Sequence, residues 1–179
     1  MKILILNGSP RKKGNTAAAV SAFIAAAGDH EIDVCNVTGL TIHPCVNCDV
    51  CQSNGGKCAR PDDTNTLLDK IISADAVIFA TPVYWWGMTA QLKTAIDKLY
   101  ARVSEIQDAK DRKKIGIISI GGDGLDNPQY RLIADQFGYI CDYLKWEVMF
   151  NHPVSAHKAY DLANAPAELK KIAALAQAL

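Results

Sequence analysis

Short apolar runs alternate with amphipathic stretches along most of this chain of 179 residues. Residues 2–6 are apolar and end at Asn7-Gly8, which predicts a buried strand. Residues 31–37, 76–80 and 114–120 and the short run 147–150 predict four more. Residues 16–27 are alanine-rich and predict a helix. Residues 64–73 place Leu67, Leu68, Ile71 and Ile72 on one helical face, and residues 89–100 carry a stripe of Leu92, Ile96 and Leu99. Residues 128–144 and 165–179 predict the last two helices. Two segments lack a period. Residues 41–61 are polar, cysteine-rich and irregular, and residues 104–113 are charged and predict a solvated connection.

Strand and helix thus alternate from end to end. That order predicts an α/β fold, with a parallel sheet joined by right-handed crossovers. Ligands of such sheets lie beyond the carboxyl ends of the strands, near the point where strand order reverses. The loops after the first, third and fourth strands are therefore the ones to read for chemistry. The length suits one domain, residues 1–179, with the cysteine-rich loop at 41–61 as part of it.

Charge narrows the possibilities. Lys plus Arg and Asp plus Glu are 19 each, so the formal net charge is zero. Neither nucleic acid nor an anionic membrane surface is an expected partner, because both call for a basic excess. No segment approaches the roughly 20 apolar residues of a membrane span. The first apolar run is too short for a signal peptide. The expected location is the cytoplasm, with no membrane insertion.

After the first strand comes Asn7-Gly8-Ser9-Pro10-Arg11-Lys12-Lys13-Gly14-Asn15-Thr16, and then a helix. A helix N-terminus offers unpaired N–H groups and positive potential to a phosphate. Ser9, Asn15 and Thr16 add polar side chains there, and Arg11 adds charge. A P-loop needs lysine where Asn15 stands, and its two glycines are one residue closer than Gly8 and Gly14. A dinucleotide fingerprint is absent. What remains is a loop for one terminal phosphate monoester, or an ordinary strand-to-helix turn. The run Gly8-Ser9-Pro10-Arg11…Gly14-Asn15-Thr16 resembles the FMN-phosphate loop of the NAD(P)H-dependent FMN reductase and iron–sulfur flavoprotein branch of the flavodoxin superfamily. It differs from the loop usual in short-chain flavodoxins.

The third strand ends in Thr81-Pro82-Val83-Tyr84-Trp85-Trp86-Gly87-Met88. An isoalloxazine ring wants apolar cover on its faces and backbone hydrogen bonds at its edges. Pro82, Val83, Tyr84, Trp85, Trp86 and Gly87 are the candidates. Neighbouring residues cannot all face one ligand, so one tryptophan can equally belong to the core or an oligomer interface. This run, with Gln91-Leu92-Lys93 and Asp97, is similar to the same family's second signature, in which the loop wraps the flavin. Lys98 departs from the arginine often found after the aspartate. Gly121, Gly122 and Asp123, after the fourth strand, resemble the loop lining the flavin's other side. The resemblance covers nearly the whole chain. It implies a flavodoxin-like three-layer sandwich with strand order 2-1-3-4-5, and FMN as cofactor.

Six cysteines are many for a neutral protein of a reducing compartment. Cys35 and Cys141 stand in apolar surroundings and predict buried core thiols. Cys45, Cys48, Cys51 and Cys58 fall in one stretch, and the first three share the Cys-x2-Cys-x2-Cys core of ferredoxin runs. Structural zinc favours two separated pairs. The stretch resembles the compact cysteine motif of iron–sulfur flavoproteins, which implies a [4Fe-4S] cluster. Free thiols and zinc are the alternatives. His30, His43, His152 and His157 form no nucleophile–base set and receive no role.

The resulting expectation is an FMN-dependent oxidoreductase of the iron–sulfur flavoprotein type. NAD(P)H or reduced ferredoxin would supply electrons, and a cluster, quinone or other acceptor would take them. The alternatives are a flavodoxin-like carrier, a cluster-free NAD(P)H:FMN or quinone reductase, and a zinc-stabilised binding domain without flavin. The resemblance also implies a homodimer or homotetramer.

Overall fold

Every apolar run becomes a strand. In the computed structural model, which describes residues 1–179, these are β1 (Lys2–Asn7), β2 (Glu31–Asn36), β3 (Ala76–Pro82), β4 (Lys114–Gly121) and β5 (Glu147–Ser155). All neighbours pair in parallel, in the order β2-β1-β3-β4-β5 that the flavodoxin-like resemblance implies. The helices are α1 (Asn15–Ala26), α2 (Val50–Ser53), α3 (Thr64–Ser73), α4 (Ala90–Asp97), α5 (Val103–Gln107), α6 (Pro128–Leu144) and α7 (Pro166–Gln177).

Side chains along a strand alternate between the two faces of the sheet. Leu4 and Leu6 face the layer of α3, α4 and α6, where they join Leu67, Leu92 and Phe137. Ile3 and Ile5 face α1 and α7, with Phe23 and Ile172. Burial on both faces makes β1 continuously apolar. The core thiols behave as expected: Cys35 and Cys141 are buried, and burial pushes the Cys141 thiol up to about 12. No helix is long and apolar enough to cross a membrane.

Three elements differ from expectation. β5 runs on to Ser155, through Pro153. It is the edge strand, so proline removes no inward ladder bond. The helix over 89–100 ends at Asp97 and tightens into a 3-10 segment, Lys98–Arg102. That change of winding turns Lys98 inward and brings Arg102 to Asp69 and Glu105. The stretch 104–113 is not wholly solvated, because Ile106 on α5 is buried in the core.

Gly116 on β4 lies under the Phe150 ring, opposite a bulge in the β4–β5 pairing. A Cβ there would sit 2.2 Å from Phe150 Cζ. Gly116→Ala should destabilise the protein by about 1–3 kcal/mol through overpacking. Urea unfolding checks this, and an unchanged midpoint would mean that the ring moves aside freely.

Candidate functional site

The loop between β1 and α1 is clamped from below. Gly8 N–H donates to Ala80 O at 2.8 Å, and Thr89 Oγ1 donates to Gly8 O at 2.9 Å. Thr89 N–H in turn donates to Thr81 Oγ1 at 3.2 Å, so β3, the start of α4 and the loop form one hydrogen-bonded unit. A Cβ on Gly8 would meet Thr89 Oγ1 at 2.9 Å and Leu92 Cβ at 3.0 Å, so this close approach requires glycine. Ser9 is buried, its N–H donating to Asn7 Oδ1 at 3.0 Å, and Arg11 N–H donates to Ser9 Oγ at 3.3 Å.

α1 begins without a side-chain cap. Gly14 occupies the cap position, no side chain accepts there, and the first turn carries no acidic residue. The leading N–H groups of a helix have no partner within it and carry the positive end of its dipole. Here they face a cavity of about 180 Å³.

Three loops meet at that cavity. Ser9, Arg11, Gly14, Asn15 and Thr16 come from the first, Pro82, Val83 and Tyr84 from the second, and Gly121 and Gly122 from the third. Thr16 is 3% exposed, and its hydroxyl has no hydrogen-bond partner in the chain. Asn15 is different. Its Nδ2 donates to Lys158 O at 2.8 Å and Ala156 O at 3.3 Å, while its Oδ1 accepts from Leu162 N–H at 3.1 Å. That side chain fastens the loop after β5, and Asn15 faces the cavity at the first turn of α1.

The same fastening brings in residues that the sequence reading did not single out. Ala156 and His157 line the cavity, with Ile120 at the end of β4. A Cβ on Gly122 would lie 2.9 Å from His157 Nδ1, so glycine makes room for the imidazole.

Trp85, Trp86, Gly87 and Asp123 do not line the cavity. Tyr84 and Gly87 exchange N–H···O bonds of 2.9 and 3.0 Å, closing a tight turn with Trp85 at φ 48° and Trp86 at φ 61°. Two left-handed central residues make a type I′ turn, which normally takes Asn-Gly. Trp85 is 92% exposed, and the two indoles lie 6.1 Å apart at the lip of the site. The Trp85 and Trp86 N–H groups have no backbone acceptor, whereas Val83 N–H is taken by Ile120 O at 2.7 Å. Asp123 supports α6: Oδ2 accepts from Asn127 Nδ2 at 3.2 Å, and its carbonyl accepts from Tyr130 Oη at 2.9 Å.

Cys45, Cys48, Cys51 and Cys58 line a second hollow, of about 30 Å³, with Lys98 and Tyr100. Left-handed Asn47 (φ 50°) and Asp49 (φ 57°) flank Cys48 and turn the chain about it. The thiols are free, and no three potential ligands are gathered at metal-holding spacing. The donor set, four cysteines around one hollow on a largely exposed loop, suits a thiolate-ligated group in residue type. Nearby, burial works against the Asp62 carboxylate. Hydrogen bonds from Thr64 and from His43 N–H, with the Lys98 charge, outweigh it and hold Asp62 below the usual carboxylate range.

Residues 1–159 match the family described as NADPH-dependent FMN reductase. An iron-sulfur flavoprotein of Methanocaldococcus jannaschii is 28% identical, over 95% of this chain and 87% of that protein. A Bacillus subtilis protein named as an NAD(P)H-dependent FMN-containing oxidoreductase is 28% identical over 80% of this chain and 79% of its own length. Two further iron-sulfur flavoproteins, from Archaeoglobus fulgidus and M. jannaschii, are matched over 46% and 63% of their length, so the chain spans less than two thirds of those relatives. Among solved structures, an NAD(P)H:quinone oxidoreductase from Methanothermobacter marburgensis superposes with a TM-score of 0.75 at 16% identity, over 99% of this chain and 96% of that one. At that identity the likeness is one of fold.

Proposed function

The chain belongs to the NADPH-dependent FMN reductase family and is an FMN-dependent NAD(P)H oxidoreductase, and from that premise we propose that its flavin occupies the cavity where the loops after β1, β3 and β4 meet. The observation that carries this reading is the uncapped N-terminus of α1, opening into that cavity beside the unpartnered Thr16 hydroxyl. A terminal phosphate would take the first-turn N–H groups, Thr16 Oγ and Ser9 Oγ, with Arg11 supplying charge. Pro82, Val83 and Tyr84 would cover the ring on one side and Gly121 and Gly122 on the other. The unused N–H groups of Trp85 and Trp86 suit carbonyl oxygens at the ring edge. His157 and the end of β5 would close the phosphate end.

Bound FMN supplies the hydride-accepting atom and the route for electrons onward. The chain's own task is to fix the ring, keep its face open to nicotinamide and exclude bulk water from the phosphate. No acid–base side chain is needed for that. Cys45, Cys48, Cys51 and Cys58 are the ligands of a [4Fe-4S] cluster; four cysteines around one hollow, and relatives named iron-sulfur flavoproteins, support this. Reduced ferredoxin is an alternative donor, and the cluster or a quinone the acceptor. A homodimer or homotetramer in the cytoplasm completes it, the assembly supported by exposed Tyr139 and Tyr143 beside an apolar groove.

Titrating the flavin-free protein with FMN and FAD tests the proposal. One phosphate loop and no dinucleotide fingerprint predict tighter FMN binding. Preference for FAD would overturn the assignment of the α1 N-terminus to a terminal phosphate.

A further inference from the structure

Lys98 is 3% exposed, yet it joins none of the chain's ion pairs. Its one side-chain hydrogen-bond partner is a sulfur: Nζ lies 3.8 Å from Cys58 Sγ. It lines the same hollow as Cys45, Cys48, Cys51 and Cys58. The nearby carboxylates are engaged elsewhere. Asp97 pairs with Lys93, Asp49 accepts from Tyr100 Oη at 2.9 Å, and Asp62 accepts from the N–H groups of His43 and Thr64. Asp62 feels the Lys98 charge without pairing to it. Arg60, the other cation of the hollow, is only half-buried.

A buried ammonium with no counter-charge is unfavourable, and proteins rarely keep one without a partner. Here the groups lining the hollow with it include the four cysteines, and Asp62, the carboxylate that feels its charge, makes no ion pair with it. Ligating a metal group as thiolates, the same four sulfurs would form an anionic site in contact with the ammonium. We propose that Lys98 is the electrostatic partner of the anionic group held by these four cysteines, and that it retains that group and raises its reduction potential. This rests on the cluster reading above. One-electron reduction adds a negative charge to the group, and a fixed cation at hydrogen-bonding distance from a ligand sulfur stabilises the reduced form more than the oxidised form. Lys98 is thus a positioning and tuning residue for a ligand set it does not join.

The test compares wild type, Lys98→Met and Lys98→Arg, each purified and reconstituted with ferrous iron and sulfide without oxygen. Three quantities are read: iron and sulfide per chain, midpoint potential by spectroscopic redox titration, and the melting temperature of the metal-free protein. Wild type should hold about four iron and four sulfide. Lys98→Met should lose iron faster on gel filtration. Its reduced-to-oxidised ratio at a fixed potential should fall at least tenfold, about 59 mV for one electron. Lys98→Arg should stay within threefold of wild type. Metal-free Lys98→Met should melt no lower than wild type, because the buried ammonium it removes makes no ion pair there. Unchanged iron retention and potential in Lys98→Met would overturn the proposal and leave the cluster reading standing. A metal-free Lys98→Met that melts well below wild type, or fails to fold, would assign Lys98 to the fold and overturn it as well. Wild type that takes up no iron would overturn both readings.

Discussion

Thr16→Val should weaken FMN binding by about 1–3 kcal/mol, roughly 5- to 150-fold in Kd, and leave the flavin-free protein as stable as before. The two halves of this expectation have one cause. Thr16 is buried at the start of α1, and its hydroxyl bonds to nothing in the chain. Valine keeps the shape and removes only the group reserved for the ligand. Asn15 makes the contrast. Its amide makes three bonds to the segment after β5, so Asn15→Ala should lower stability by about 2–4 kcal/mol with or without flavin. Urea unfolding of the flavin-free variants and fluorescence titration with FMN separate the cases. Undiminished FMN affinity in Thr16→Val would place the phosphate elsewhere.

The double substitution Trp85→Asn, Trp86→Gly should stabilise the flavin-free protein by about 2–4 kcal/mol while weakening its activity. A left-handed conformation costs a bulky residue about 1–2 kcal/mol, and two stand in succession between Tyr84 and Gly87. Little packing offsets that cost, since Trp85 is 92% exposed. Strain held in this way at the lip of a binding cavity marks a functional constraint. The indoles form an aromatic surface where a flat acceptor or nicotinamide can stack. Thermal melts and steady-state turnover with a quinone check both halves. If the double variant melts lower, the indoles are packing residues and the strain reading fails.

The sequence made some of this legible and hid the rest. β1, β3 and β4 were plain because burial on both faces makes them continuously apolar. The loops after them were plain because phosphate-binding residues, aromatics and paired glycines follow those strands directly. The cysteine hollow was legible from spacing alone. The role of Asn15 was not, because its partners lie more than 140 residues away and are backbone carbonyls, which carry no signature. Ala156 and His157 were missed with it, and also because the apolar run of the last strand stops at residue 150, short of the Ser155 where β5 ends. The outward turn of Trp85 and Trp86 was hidden for the opposite reason: a type I′ turn built from tryptophans runs against local preference. The inward turn of Lys98 depends on the 3-10 winding after Asp97, which the helical stripe of Leu92, Ile96 and Leu99 does not reveal.

The central claim is that this chain holds FMN where nicotinamide can reach it. Mixing the FMN-loaded protein with NADPH or NADH in the absence of oxygen, and following the flavin absorbance band, tests it most directly. The account predicts that the band bleaches with at least one nicotinamide. A flavin that stays oxidised with both, yet bleaches with a low-potential protein donor, would contradict it and make the protein an electron carrier.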